Sequence, residues 1–459
     1  MEINNQKRIL SLCLTTSLFF FNLFGKIEPK TQKNNIQPIV ETQETKVKQK
    51  EWNFMVYFAS NNDLYQFSLL NIHQMLKIGS NKNINILIQQ DTYGKKGIFR
   101  FFVEKNNLVL KEKIQNTEES TSGTPKSLFK FAEWCIKNYQ AKHHALILWN
   151  HGSGIEDPSI WGKKLTNKAN NLYSFNPQIS LLELNRKFID DRGIAFNTIF
   201  ETYLTNQDLK NTLQKISSHL LKNKKIDILG MDACNMAMLE VGSEIKDYVN
   251  YMVGSEEVEP GTGWEYSKVL KPFKYKSLTP SEFAIHIVKA YGKEYQYQYA
   301  DTTQSAICLK QHQKLEKNIN NISINLLNLL SGIDENEIIK NIKKIRTNKK
   351  LTTEFANKNY IDMHHFYTSL LETLNNISQD IKNKKETESL IINLQEGIDL
   401  IEKQIIENST NINLPKAKGL SFYFPTKKIH KSYYKTTFAQ NWWINFLEEY
   451  IKKTKPSFY

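Results

Sequence analysis

Apolar residues gather in short uninterrupted runs, and these runs alternate with stretches of helical spacing. Asn53–Ala59, Ile84–Gln89, Leu146–Trp149, Ile226–Asp232 and Tyr251–Gly254 are runs of strand length. Runs without polar alternation suit strands covered on both faces, as in a parallel sheet under helices. Ile98–Val103 and Leu108–Ile114 read as a hairpin, and Ser305–Leu309 as a further strand. Ser127–Tyr139, Leu209–Leu221 and Pro280–Tyr295 carry the spacing of amphipathic helices. This order predicts an α/β sandwich, a mostly parallel sheet flanked by helices, over residues 51–310. Residues 311–459 change character and form a helix-rich C-terminal region. Segments 311–345 and 375–408 read as helices, Lys418–Pro425 as a returning strand, and Trp442 and Trp443 open a last helix.

Two of the apolar runs stop on reactive side chains. Leu146–Trp149 leads to Asn150-His151-Gly152, and Ile226–Asp232 leads to Ala233-Cys234. The carboxyl ends of parallel strands line one edge of an open sheet, where ligands bind. A thiol and an imidazole meeting there suit nucleophilic catalysis. Cys234 is expected at the start of a helix Asn235–Ile245, whose free N–H groups would lower the thiol pKa. His151 is then the general base toward the thiol and the acid toward a leaving amine. Gly152 lets a peptide backbone approach, and the N–H groups of Gly152 and Cys234 are the candidate oxyanion hole. Singly, each residue reads as a core thiol or a hydrogen-bonded imidazole. Their shared position at strand ends favours chemistry.

Composition narrows the partners. The 459 residues carry 61 Lys and Arg against 47 Asp and Glu, a net +14, and nearly all of the positive charge is lysine. No cluster of arginines with interleaved aromatics is present, so no nucleic-acid partner is expected. Lys7 and Arg8 precede an apolar run from Ile9 to Gly25 that is short for a membrane span. Residues 1–25 read as a signal peptide and 26–50 as a flexible polar linker. The expected location is secreted or cell-envelope in a bacterium, with membrane contact only through the N-terminal segment. Outside the signal the cysteines are Cys135, Cys234 and Cys308, an odd number that leaves a thiol unpaired. Neither the cysteines nor the histidine pairs His143-His144 and His364-His365 have metal-ligand spacing, so no metal is expected. Gly152-Ser153-Gly154 is not a serine-hydrolase elbow. Asn61-Asn62-Asp63 reads as a turn, and no third catalytic residue is evident.

The motifs resemble the clostripain family of cysteine peptidases, relatives of caspases, legumains and gingipains. The matching stretches are Asn150-His151-Gly152, Asp232-Ala233-Cys234, Ser255-Glu256-Glu257 with Pro260–Trp264, Ser305-Ala306-Ile307, Gly419–Pro425, and Ser60–Leu64 after the first strand. The resemblance spans residues 52–450 and implies a caspase-like fold with a His151–Cys234 dyad hydrolysing peptides. It also implies cleavage after Arg or Lys, with Asp232 at the base of the pocket for the residue preceding the cut. Such a carboxylate can grip a guanidinium or ammonium, and it shares a strand face with Cys234; capping the following helix is the alternative role for Asp232. Glu256 and Glu257 are expected to add negative charge there.

Members of the family are often cut between the His and Cys strands. The irregular stretch 155–196 then offers Lys163, Lys164, Lys168, Arg186, Lys187 and Arg192 as self-cleavage positions, Lys168-Ala169 first. This chain has Asn197 and Thr198 where an acidic pair is expected, which puts local substrate contacts or ion binding in doubt. No cofactor is required, and calcium dependence is left open. Two other functions remain: an amidase or transpeptidase using the same dyad, and a non-catalytic surface-binding protein on a peptidase-like scaffold.

Overall fold

Strand β1 (Lys50–Phe58) shows why the first apolar run becomes a central strand. Its side chains alternate between two separate cores: Trp52, Phe54, Val56 and Phe58 enter one, and Met55 and Tyr57 the other. A strand buried on both faces has no polar side to show, hence the unbroken run. The computed structural model describes residues 49–156, 194–298, 300–379 and 381–455. The expected signal peptide, nearly all of the polar linker and every candidate self-cleavage position lie outside the described residues.

After β1 come α1 (Tyr65–Leu76), β2 (Ile84–Asp91), the hairpin β3 (Ile98–Glu104) and β4 (Asn107–Ile114), α2 (Pro125–Asn138) and β5 (Ala141–Trp149). The chain continues through a small ribbon, β6 (Ile194–Asn197) and β7 (Thr202–Leu204), then α3 (Asn206–Lys215), β8 (Ile226–Asp232), α4 (Leu239–Ile245), β9 (Val249–Gly254), α5 (Pro280–Tyr295) and β10 (Thr303–Cys308). Next are α6 (His312–Leu330), α7 (Glu335–Thr347), β11 (Tyr360–Asp362), α8 (Met363–Ile377), α9 (Lys384–Gln404), β12 (Ile405–Thr410), β13 (Ser421–Tyr423) and α10 (Trp443–Thr454). The main sheet runs β12-β10-β9-β8-β5-β1-β2-β3-β4. Its centre, β2-β1-β5-β8-β9, is parallel, and an antiparallel pair closes each side. Helices cover both faces, the caspase-like arrangement.

Three elements differ from the sequence pattern. The helix after Cys234 starts at Leu239 rather than Asn235, because Asn235 takes a left-handed conformation (φ 58°) that breaks the helical path. The apolar segment 375–408 is not one helix. It is broken near Ile377–Lys384, and Ile405–Thr410 leaves α9 as β12, pairing antiparallel with β10. Paired β-branched Ile405 and Ile406, followed by Asn408, Ser409 and Thr410, favour a strand over a further helical turn. Finally, the region after residue 311 does not stand apart: β12 completes the main sheet, and Ser421 N–H donates to Ala237 O at 2.9 Å.

Candidate active site

Register places the two reactive residues side by side. Phe58 of β1 pairs with Trp149 of β5, and Trp149 pairs with Asp232 of β8. His151 and Cys234 each lie two residues beyond that row, on the same sheet edge. Gly152 crosses so close that a Cβ there would sit 2.3 Å from Cys234 O. A cleft is lined by His151, Cys234, Asp232, Glu259, Pro260 and Gly261. Its cavity is about 30 Å³, room for a water or two. A larger groove of about 410 Å³ lies elsewhere, along α6 and residues 437–441, and has neither thiol nor imidazole in its lining.

Cys234 sits in a turn, five residues ahead of α4, so the helix terminus does not reach it. The expected lowering of the thiol pKa is absent. Burial pushes Cys234 up to about 12, and the carboxylates of Glu259 and Glu257 add to the rise. The N–H groups of Glu259, 3.3 Å from the sulfur, and of Gly152 oppose it. At neutral pH the resting group is therefore a thiol, and a base must take its proton during attack.

His151 is held from the β1 side. Its Nε2 lies 2.9 Å from Asp63 Oδ1, in the turn that follows β1. The motif Asn61-Asn62-Asp63 does shape a turn, and it also delivers a carboxylate to the imidazole. Sequence reasoning missed this because the two residues are 88 positions apart. The available signal was that β1 and β5 both end on the same edge. The paired histidines are engaged in the scaffold: His143 Nδ1 with Asp227 at 3.1 Å, His364 with Glu402 at 3.0 Å, and His365 with Thr353 at 2.9 Å. His144 is buried and pushed down to about 4 by that burial. Among the described residues no group of three His, Cys, Asp or Glu is placed to hold a metal ion.

Asp232 forms the cleft floor. Its carboxylate accepts from Trp264 N–H at 3.2 and 3.1 Å and from Tyr266 Oη–H at 2.7 Å. None of these partners is the N-terminus of α4, so Asp232 does not cap it. Gly263 (φ 58°) permits the turn to close over the carboxylate, because a Cβ there would be 2.5 Å from Asp232 Oδ1. Burial pushes Asp232 up to about 6. Glu259 lies against it, held well above the usual carboxylate range by burial and by the charge of Asp232. Glu259 accepts from Gln304 at 3.3 Å, and its Oε2 has no hydrogen-bond partner.

The acidic residues expected beside Asp232 go elsewhere. Glu256 is buried against Asp362 and accepts from Gly419 N–H at 2.9 Å. Glu257 accepts from Ala356 N–H at 3.1 and 3.0 Å and from Val258 N–H at 2.7 Å. Both tie the loop after β9 to the C-terminal region and do not line the cleft. The reason is the path of the loop, which reaches the cleft only at Glu259-Pro260. Asn197, at the position expected to be acidic, is fully buried and donates to Asp91 at 2.9 Å.

A sequence model of the clostripain family matches residues 56–174 and 182–452, well over half of the chain. The chain belongs to the clostripain family. It is 23% identical to clostripain from Hathewaya histolytica over 96% of this chain and 88% of that protein. Its fold is similar to a secreted C11 cysteine protease from Bacteroides thetaiotaomicron bound to an irreversible peptide inhibitor (TM-score 0.56, 15% identity, 86% of this chain and 99% of that one). It is similar also to an inactive zymogen C11 protease from Parabacteroides distasonis (TM-score 0.55, 16% identity, 85% and 98% covered). The protein is a cysteine peptidase acting on peptide or protein substrates. The non-catalytic and amidase alternatives give way to that assignment. No helix among the described residues is long and apolar enough to cross a membrane.

Proposed function

We propose that the protein is an exported endopeptidase that cleaves after Arg or Lys, with Cys234 as nucleophile and His151 as general base and acid. One observation supports this reading: His151 and Cys234 line a single cleft with a buried pair of carboxyl groups, Asp232 and Glu259, that no cationic side chain pairs with among the described residues. A guanidinium or ammonium entering the cleft would replace the proton that such a pair shares. In the reaction His151 takes the Sγ proton as sulfur attacks the scissile carbonyl. The oxyanion is met by the N–H groups of Gly152 and Cys234, and each such donor contributes about 3 kcal/mol. The proton passes to the leaving amine, the C–N bond breaks, and water then hydrolyses the thioester. The pocket is small at rest, so binding energy from the basic side chain must open the 259–263 turn.

Cys234→Ala is expected to abolish hydrolysis of Arg-ended fluorogenic peptides, and a lysine-bearing chloromethyl ketone is expected to label Cys234 alone. Hydrolysis that survives the substitution ends the proposal. We extend it to self-processing between β5 and β8. Both borders of the intervening stretch are anchored, Glu156 by Asn357 at 3.1 Å and Asn359 at 2.8 Å, and Phe196 by Asn150 at 2.9 Å. With β5 and β8 paired in the sheet, two chains made by a cut would stay together. Lys168-Ala169 is the first position to check by N-terminal sequencing of purified protein. Export is checked by comparing the N-terminus of secreted material with Met1.

A further inference from the structure

We infer that Asp63 is a positioning residue for His151, and that Asn62 and Asn150 hold the two side chains in register by gripping the same pair of carbonyls. The inference rests on the reading of His151 as the base. Asn62 Nδ2 donates to Ala59 O at 3.0 Å and to Phe196 O at 2.8 Å. Asn150 Nδ2 donates to the same Ala59 O and, at 3.2 Å, to the same Phe196 O, while its Oδ1 accepts from Phe196 N–H at 2.9 Å. Both asparagines are buried. The residue after each is one member of the pair, Asp63 after Asn62 and His151 after Asn150. Asn62 also fixes its own turn, accepting from Leu64 N–H through Oδ1 at 3.0 Å. A mirrored clamp of this kind sets the separation of two loops that nothing local would align.

The contact also decides which nitrogen works. Asp63 is an acceptor, so Nε2 carries the hydrogen and the lone pair of the neutral ring is on Nδ1. Nδ1 is then the basic nitrogen of the ring, and the Asp63 carboxylate faces the imidazolium until its proton leaves with the amine. Stability is a poor explanation for the contact. The side chains of His151 and Asp63 are 14% and 30% exposed, and water-screened pairs of this type add little to folding.

Asp63→Asn keeps the size and lets an amide N–H face Nε2, which favours the wrong tautomer. It is expected to lower kcat about 10²-fold, the scale of a misplaced reacting group, with KM and melting temperature close to parental. The pH profile of kcat/KM is expected to change with it, because the charge facing the ring is gone. Asp63→Glu is expected to recover part of kcat. Asn62→Asp, which removes the clamp's donor at constant size, is expected to lower kcat in the same sense. Parental kcat and pH profile in Asp63→Asn would overturn the inference, as would a kcat loss matched by lost melting stability and not recovered by Glu. His151→Ala assayed alongside separates the two readings. If it is inactive while Asp63→Asn is parental, only the positioning role falls; if it stays active, the base assignment falls too.

Discussion

Two aspartates end two parallel strands of this sheet, and burial treats them alike while their partners do not. Asp91 closes β2 and is met by five donors: Thr121 Oγ1, Ser122 N–H, Ser122 Oγ, Asn197 Nδ2 and Asn116 Nδ2. Asp232 closes β8 and is met by Trp264 N–H and Tyr266 Oη–H, and its remaining neighbour is another acid, Glu259. A buried carboxylate needs either enough donors or a cation. Asp91 has its donors from the protein and ties the 115–124 loop and β6 to the end of β2. Asp232 has fewer donors and a second acid beside it, and Glu259 Oε2 has none, which suits a site completed by a basic side chain from a substrate.

Asp91→Ala should give the largest effect. It strands several buried donors and is expected to cost about 3 kcal/mol or more in denaturant unfolding, with the Arg and Lys preference unchanged. A preference lost along with stability would erase the contrast between the two sites. Asp232→Asn is expected to do the opposite, lowering kcat/KM for Arg-ended peptides about 10²-fold, near the worth of one charge-assisted contact, while the folded state holds or gains stability. Glu259→Gln should follow in the same direction at about tenfold, since Asp232 keeps its charge. If Glu259→Gln has no effect on Arg-ended substrates, the pair reduces to Asp232 alone.

The smallest effect is in pH. Burial holds Asp232 protonated up to about 6, above the ordinary carboxylate range. Entry of a cation expels the proton that the pair shares, so a guanidinium inhibitor should bind more tightly as pH rises through the range in which the free pair loses it. For folding the sign reverses. The folded state holds this proton more tightly than the unfolded chain, so its stabilising contribution is complete below the ordinary carboxylate range and is lost as pH rises toward about 6. Asp232→Asn should flatten both profiles, measured by inhibition constants and by melting temperature. A binding profile that stays flat in the parent enzyme contradicts the acid pair.

Much of the site was legible because it is built at strand ends. Unbroken apolar runs mark β5 and β8, and each strand stops two residues before its reactive side chain, so His151 and Cys234 could be picked out without coordinates, while Asp232 came from the family resemblance. The helix after Cys234 was misplaced because one left-handed residue, Asn235, carries no composition signal strong enough to predict. Glu256 and Glu257 stay off the cleft lining for a related reason. Which of three nearby glutamates faces the cleft depends on how the loop after β9 is pulled by Asp362, Gly419 and Ala356, residues about a hundred or more positions away.

By itself, then, the order of residues determined the alternation of strand and helix, the chemistry of the strand ends and the family to which the chain belongs. Periodicity and motif are local, and local patterns survive without coordinates. Only the tertiary structure decided that Asp63 meets His151, that Glu259 rather than its neighbours joins Asp232, that β12 returns to the main sheet, and that Cys234 lies in a turn ahead of α4 rather than at its terminus. Each of those depends on groups far apart in sequence brought together in a space from which water is excluded, where one donor more or less changes the charge a side chain can bear.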